Sequence, residues 1–385
     1  MKYLLLLAAA CGGDDPGPDA HPIGVPGTYM VSGIVQYEDR APLPTGGLGP
    51  EMPKPVRGAS VIVVAEDDGA ILAMGITGED GSYSLTFDGV GGEKLHVTAA
   101  TSSILPERQV TVQRLDGAAH AFGGMAFEAG IVTTSDVLAT VESGTAQAFN
   151  TFDVLLGVMD HVRATYGNPT PIPLVAVWQR GSDEGTYYGE RTMYLLGDES
   201  DDDGFDDTVI LHEAGHYIED VYGRSDSAGG PHDGSPTDPR LAWSEGFSTY
   251  YALAVWGSPI YMDSNAGGGF AFNVDTDLTK ANGAGAIGQD VSEDMVAEIL
   301  WDMGDGGSGD DDPLAGTHSP VLTVQTMYLR SAVLRPVGSP GADLIDGLDG
   351  FFVASGLGAC TAMRSIVVTT HTFPYDFAGP AGSCP

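Results

Sequence analysis

A chain of 385 residues with 53 acidic against 16 basic side chains carries a net charge of -37. Such a surface repels nucleic-acid phosphates and anionic lipid headgroups, so neither is an expected partner. The length accommodates two or three domains, and an ordinary apolar content of 42% argues that they fold.

The first residues read as an export signal. Met1-Lys2 is a short positive start, Tyr3 to Ala10 is apolar, and Ala8-Ala9-Ala10-Cys11 follows. The run is far shorter than the ~20 residues of a bilayer span, so it reads as a signal-peptide core ending in small residues. The Cys directly after it resembles a bacterial lipobox, with Ala8 where that motif usually has Leu. The resemblance implies a leader over 1–11 and a lipid anchor at Cys11, which would be the protein's one link to a membrane. The localisation that follows is the cell envelope, or secretion. Residues 12–27, rich in Gly, Pro and Asp, read as a flexible tether. Of three Cys, Cys360 and Cys384 are left to pair if Cys11 carries lipid, and disulfides persist outside the cytoplasm.

Residues 28–127 read as strands. Tyr29–Val35, Gly58–Ala65, Ile71–Thr77, Tyr83–Phe87 and Leu95–Ala99 are short β-type runs, with a turn signal at Glu79-Asp80-Gly81-Ser82. That spacing predicts a small β-sandwich. The order V-x-G-x-V, then G-A-x-V-x-V, then T-x-D/E-D-G-x-Y-x-L resembles the carboxypeptidase regulatory-like (transthyretin-type) domain. That family usually accompanies secreted enzymes and is itself non-catalytic. Gln109 to Phe127 can add strands that join this unit to the next.

Residues 128–385 mix helix and strand. Phe149, Phe152, Leu155, Leu156, Met159 and Val162 recur at helical spacing over 146–166. Leu174–Trp178 and Thr192–Leu196 read as strands. An acidic loop follows, and an apolar helix begins at Thr208. Further helices are expected at Trp243–Trp256, Ser292–Met303, Val321–Leu334 and Leu344–Ser355.

The helix from Thr208 carries His212-Glu213-Ala214-Gly215-His216. Residues four apart share a helix face, so both His can aim at one metal. Glu213 sits beside them, placed to act on a water there. Zinc acidifies such a water and polarises a carbonyl, and Glu213 takes the proton. A catalytic zinc also needs a third protein ligand and an open position. Trp243-Ser244-Glu245-Gly246-Phe247-Ser248 opens a later apolar helix. A Glu-Gly at a helix start after an HExxH helix resembles the gluzincins, closest to their fungalysin and thermolysin-like branches. The resemblance implies Glu245 as third ligand, beside His212 and His216, and Zn2+ as cofactor. Met295-Val296-Ala297-Glu298-Ile299-Leu300-Trp301-Asp302 resembles the downstream helix of fungalysin-like peptidases. By the same likeness, Thr192–Leu196 would pair with an extended substrate backbone.

One position departs from the branch. Thr249 stands where an acid usually orients a ligand His, and Glu219, Asp220 or an acidic-loop residue could substitute. The oxyanion also needs a donor, for which His318 and Tyr251 are candidates, with Tyr261, Tyr187, Tyr188 and His232 beside them. Asp201, Asp202, Asp203, Asp206 and Asp207, and later Asp310, Asp311 and Asp312, suit Ca2+, while Asp206 and Asp207 could equally cap the zinc helix. The expected architecture is multidomain: a transthyretin-like β-sandwich, then an α+β zincin domain with a mainly helical C-terminal half. The expected function is a zinc-dependent endopeptidase acting on protein or peptide substrates. The alternative is a non-catalytic surface scaffold with a decayed peptidase domain.

Overall fold

The computed structural model describes residues 24–167, 169–276, 288–306, 312–314 and 316–385. The leader and lipobox, Cys11, most of the tether, and Asp310 and Asp311 lie outside them.

The N-terminal strands are β1 (Pro26–Asp39), β2 (Met52–Pro55), β3 (Ser60–Ala65), β4 (Ile71–Ile76), β5 (Ser82–Val90) and β6 (Lys94–Ala100). After them come β7 (Val110–Gln113), β8 (Ala121–Gly123), β9 (Phe127–Glu128) and β10 (Val137–Ala139). Their side chains alternate as a half-buried sheet requires: Tyr83, Leu85 and Phe87 are buried on β5 while Ser82, Ser84 and Thr86 are exposed. One sheet is built on β1, which pairs with β5 over its first half and lies between β2 and β10 over its second. The other runs β4-β3-β6-β8, with β9 also on β6. Val31, Val35, Tyr83 and Leu85 of the first share a core with Val61, Val63, Leu95 and Val97 of the second.

The expected boundary at 127/128 is corrected on both sides. β10 lies beyond it yet hydrogen-bonds in parallel to β1, with Val35 opposite Val137. β7 lies before it yet pairs in parallel with β11 (Leu174–Trp178), inside the second unit's sheet. Parallel pairing joins segments distant in sequence, so local patterning does not report it.

That second sheet runs β12-β13-β11-β7, with β12 at Tyr187–Gly189 and β13 at Thr192–Leu195. Helix α1 (Ala146–Thr165) lies between β7 and β11 in the chain. The short hairpin β14 (Gly197–Asp198) and β15 (Asp201–Asp202) then leads into helix α2 (Asp207–Val221). Helix α3 (Pro239–Trp256) is well delimited: the Asp238 side chain accepts from Arg240 N, Pro239 sits in the first turn, and Gly257 ends the helix at a φ of 78°. Next come a hairpin of β16 (Ile260–Asp263) and β17 (Phe270–Asn273), then α4 (Glu293–Asp302), which Ser292 caps through Asp294 N. Helices α5 (His318–Val324), α6 (Leu344–Ser355) and α7 (Cys360–Arg364) complete the helical back half. The helix expected to reach Leu334 passes into a π-type turn at Gln325–Leu329 and stops there. Cys360 and Cys384 are bridged, with Cα atoms 5.8 Å apart.

Two glycines set how closely the central helices approach. A Cβ added at Gly215 would lie 2.5 Å from Ser248 Cα of α3, and one at Gly246 would lie 2.6 Å from Glu293 O of α4. The Gly of the HEAGH segment and the Gly after Glu245 therefore let α2, α3 and α4 come close enough to share a polar seam.

Candidate metal centre

The seam is built by helical spacing. On α2, His212 and His216 stand one turn apart with Glu213 alongside. On α3, Ser244 and Ser248 form one such pair, and Glu245 and Thr249 form the adjacent one. Facing each other, the two helices bring Glu245 Oε2 to 3.1 Å from Nε2 of His212 and to 3.1 Å from Nε2 of His216. Two imidazoles and one carboxylate converging on one point is a zinc donor set, and an open cavity of about 1060 Å³ lies against it. The three ligand candidates and Glu213 all line that cavity.

Each imidazole is held from its far side. His212 Nδ1 lies 3.0 Å from Thr249 Oγ1, so the hydroxyl takes the place of the acid that the thermolysin-like pattern would put there. His216 Nδ1 lies 3.0 Å from Ser248 Oγ and 3.2 Å from Ser244 Oγ. Ser244 in turn donates to Glu219 Oε2 at 2.5 Å, and Gln325 Nε2 donates to Glu219 Oε1 at 2.7 Å. The direct separation from His216 Nδ1 to Glu219 is 3.8 Å, so the serine carries the contact. Burial raises the Glu219 pKa, while His216 and the Ser244 and Gln325 donors oppose that rise. The acid missing at position 249 is thus supplied one helical turn past the second His, to the other imidazole. Glu219→Gln is expected to weaken zinc binding by about 10–100-fold, and Ser244→Ala similarly. Competition with a chromophoric chelator measures it, and an affinity equal to that of Asp220→Asn, outside the relay, counts against the relay.

Glu213 is 6% exposed, and its Oε2 has no hydrogen-bond partner among the described residues. Burial raises its pKa, partly offset by the two imidazoles. A carboxylate lining the cavity with a free oxygen beside the ligand nitrogens is placed to hold a water and take its proton.

Two expected catalytic residues are not in the cavity. Tyr251 is six residues past Glu245, about 240° round the helix, and its ring is fully buried against Phe247 and His161. His318 packs on Trp301 with ring centroids 4.8 Å apart, and its Nδ1 lies 3.2 Å from Tyr250 Oη. Burial lowers its pKa, and it does not line the cavity. Tyr187, Tyr188, Tyr261 and His232 do. His232 faces the ligands, with Nε2 3.6 Å from Glu245 Oε2. Its Nδ1 lies 3.2 Å from Glu293 Oε1, which also accepts from Gly234 N, and Ser292 Oγ donates to Gly234 O. These bonds tie a Gly/Pro-rich loop to the start of α4 and fix the ring's position.

The strand expected to receive substrate is also corrected. β13 has β12 on one side and β11 on the other, so its backbone groups are already used. Of the two outer strands, β12 and β7, it is β12 whose residues, Tyr187 and Tyr188, line the cavity. Sequence patterning missed β12 and the β16–β17 hairpin, though alternation in Ile260–Asp263 and Phe270–Asn273 around a Gly-rich turn is a hairpin signal.

The acidic loop divides. Asp202 accepts from Trp178 Nε1 and Gln147 Nε2, Asp207 from Asn150 Nδ2, and Asp206 Oδ2 from Ser264 N and Oγ. Asp206 stands at the start of α2 without a side-chain cap bond, so it does not cap the helix in the expected way. Asp203 accepts from Thr186 Oγ1, and with Asp201 it meets Asp263 of the hairpin.

Residues 165–330 match the model of the mycolysin C-terminal domain. All four residues of the centre fall in that span, and the match supports a zinc metallopeptidase at a coarse level. No curated protein matches the chain. Among solved structures, a 9R-lipoxygenase from Cyanothece PCC8801 is similar at 15% identity over 38% of this chain and 25% of its own, with a TM-score of 0.17. The major plantain pollen allergen Pla l 1 is similar at 19% identity over 30% of this chain and 92% of its own, with a TM-score of 0.19. Overlaps this poor carry no argument about fold or function.

Proposed function

We propose that this chain is a zinc-dependent endopeptidase of the gluzincin type, exported and tethered to the cell envelope through Cys11. The observation that carries it is the single oxygen, Glu245 Oε2, within 3.1 Å of both imidazole Nε2 atoms beside an open cavity. His212, His216 and Glu245 would hold the metal. Zinc, when bound, supplies a Lewis acid that polarises a scissile carbonyl and acidifies a water. Glu213 holds that water and takes its proton, then delivers it to the leaving amine. His232, braced by Glu293 and near Glu245, would donate to the oxyanion in place of His318 or Tyr251. The β12 edge offers main-chain bonds to an extended substrate, which favours cleavage within chains.

The scaffold alternative requires a decayed site. Against it, His212, His216 and Glu245 converge on one point, and both far-side nitrogens are hydrogen-bonded.

Metal analysis paired with casein digestion tests the proposal. One zinc per chain is expected, with cleavage that a chelator abolishes and zinc restores. Full zinc occupancy without cleavage of casein or of a peptide library favours the scaffold, and an absence of zinc binding removes both site and mechanism.

A further inference from the structure

The cavity beside the metal centre is rich in carboxylates. Among the described residues lining it there is no Lys and no Arg. One end has a particular construction. In the β16–β17 hairpin, Tyr261 pairs with Phe272 and Asp263 with Phe270, so these four side chains project from one face. The three rings form a stacked ladder, with centroids 5.0 Å apart for Tyr261–Phe272 and 6.3 Å for Phe270–Phe272. Phe270 is 52% exposed, and it lines the cavity. Beside this ladder, Asp201 and Asp203 meet Asp263 with carboxylate oxygens within 4.8 Å of one another. Behind them is Asp206, fully buried, with Oδ2 held by Ser264 and Oδ1 without a hydrogen-bond partner among the described residues.

Three converging carboxylates call for a cation. A calcium ion takes about six to eight oxygen ligands, and a wall of aromatic carbon offers it none. A guanidinium fits both halves: its N–H groups bond carboxylates while its plane and stem lie on ring faces. Burial lifts the Asp203 carboxyl to about 7 and the Asp263 carboxyl to about 6, so an arriving positive charge would relieve the crowding. Placement points the same way. The Tyr261 ring lies 6.2 Å from the His212 ring, and Asp263 is two residues further along β16, about 7 Å on. A side chain from a residue beside the scissile bond spans that distance.

We propose that Asp201, Asp203 and Asp263, with the Tyr261–Phe272–Phe270 ladder, form a subsite for an arginine side chain of the substrate next to the scissile bond. This rests on the peptidase assignment above and specifies its substrate class as cationic peptides.

Two quenched-fluorescent peptides test it, identical except for arginine or its uncharged isostere citrulline beside the cleaved bond. The zinc-loaded wild type should show kcat/KM at least about tenfold higher for the arginine peptide, as for a lost charge-assisted contact. Asp263→Asn should bring that ratio close to one. Equal rates in the wild type, or a ratio unmoved by Asp263→Asn, overturn the subsite. So does calcium titration in which the wild type binds the ion at these residues, Asp263→Asn does not, and bound ion leaves no arginine preference. If neither peptide is cut, fluorescence anisotropy of the same labelled peptides decides. Binding about tenfold tighter for arginine keeps the subsite while the peptidase assignment falls, and equal binding removes the subsite as well.

Discussion

Glu213→Gln will lower kcat on a casein-derived peptide by roughly 10²–10⁴, the usual contribution of a positioned general base, while zinc content stays at one per chain. The substitution is isosteric, so it opens no cavity in α2 and leaves His212 and His216 in place. It removes a carboxylate next to His212 on α2 that can accept a proton, one whose Oε2 has no hydrogen-bond partner among the described residues. An amide cannot take that proton at any accessible pH. Initial rates and atomic emission on the same preparation separate chemistry from metal loss. Turnover equal to wild type at full zinc occupancy would remove Glu213 from the mechanism, and turnover lost together with zinc would make it a structural residue.

Gly215→Ala will act through packing. The new methyl would stand 2.5 Å from Ser248 Cα, a backbone atom that cannot swing aside. Relief requires α2 and α3 to separate. Overpacking of this kind costs about 1–3 kcal/mol, and the better helix propensity of Ala returns only ~1 kcal/mol. A fall in melting temperature of several degrees is expected, at about 2–4 °C per kcal/mol for a unit of this size. The same separation would draw Glu245 and Ser248 away from His216, so zinc affinity should fall with stability. Calorimetry and chelator competition read the two effects. A stable variant with unchanged zinc affinity would show that the seam tolerates a wider spacing and that Gly215 does not set it.

Both effects come from the meeting of α2 and α3, and only part of that meeting is legible in the chain. The spacing of His212 and His216 puts two nitrogens on one face because the α-helix repeat is local. The alternation of Tyr83, Leu85 and Phe87 announces a half-buried strand for the same kind of reason. Glu245 is readable only through likeness to a known pattern, since nothing local to it reports a metal.

The misplaced residues share a cause. Tyr251 and His318 are plausible donors by residue type and position, but α3 turns Tyr251 into the core and α5 seats His318 on Trp301. His232 lies on a Gly/Pro-rich loop whose local sequence does not fix it, yet Glu293 and Ser292, far along the chain, pin that loop to α4. β13 stands where likeness to a known pattern puts a substrate strand, but its neighbour β12 takes the edge. The relay from His216 through Ser244 to Glu219 needs two helices and Gln325 in register, and no sequence motif encodes that geometry.

What the sequence determined by itself is what a few consecutive residues can specify: the strand and helix periods, the paired His with Glu213 between them, the two Cys left to bridge, and the acidic character of the whole surface. What only the tertiary structure decided is which of several similar side chains face the cavity, which strand keeps a free edge, and which acids meet one another. Those outcomes depend on close approach between segments far apart in sequence, set here by Gly215 and Gly246 and by long-range hydrogen bonds, and local propensity carries no record of either.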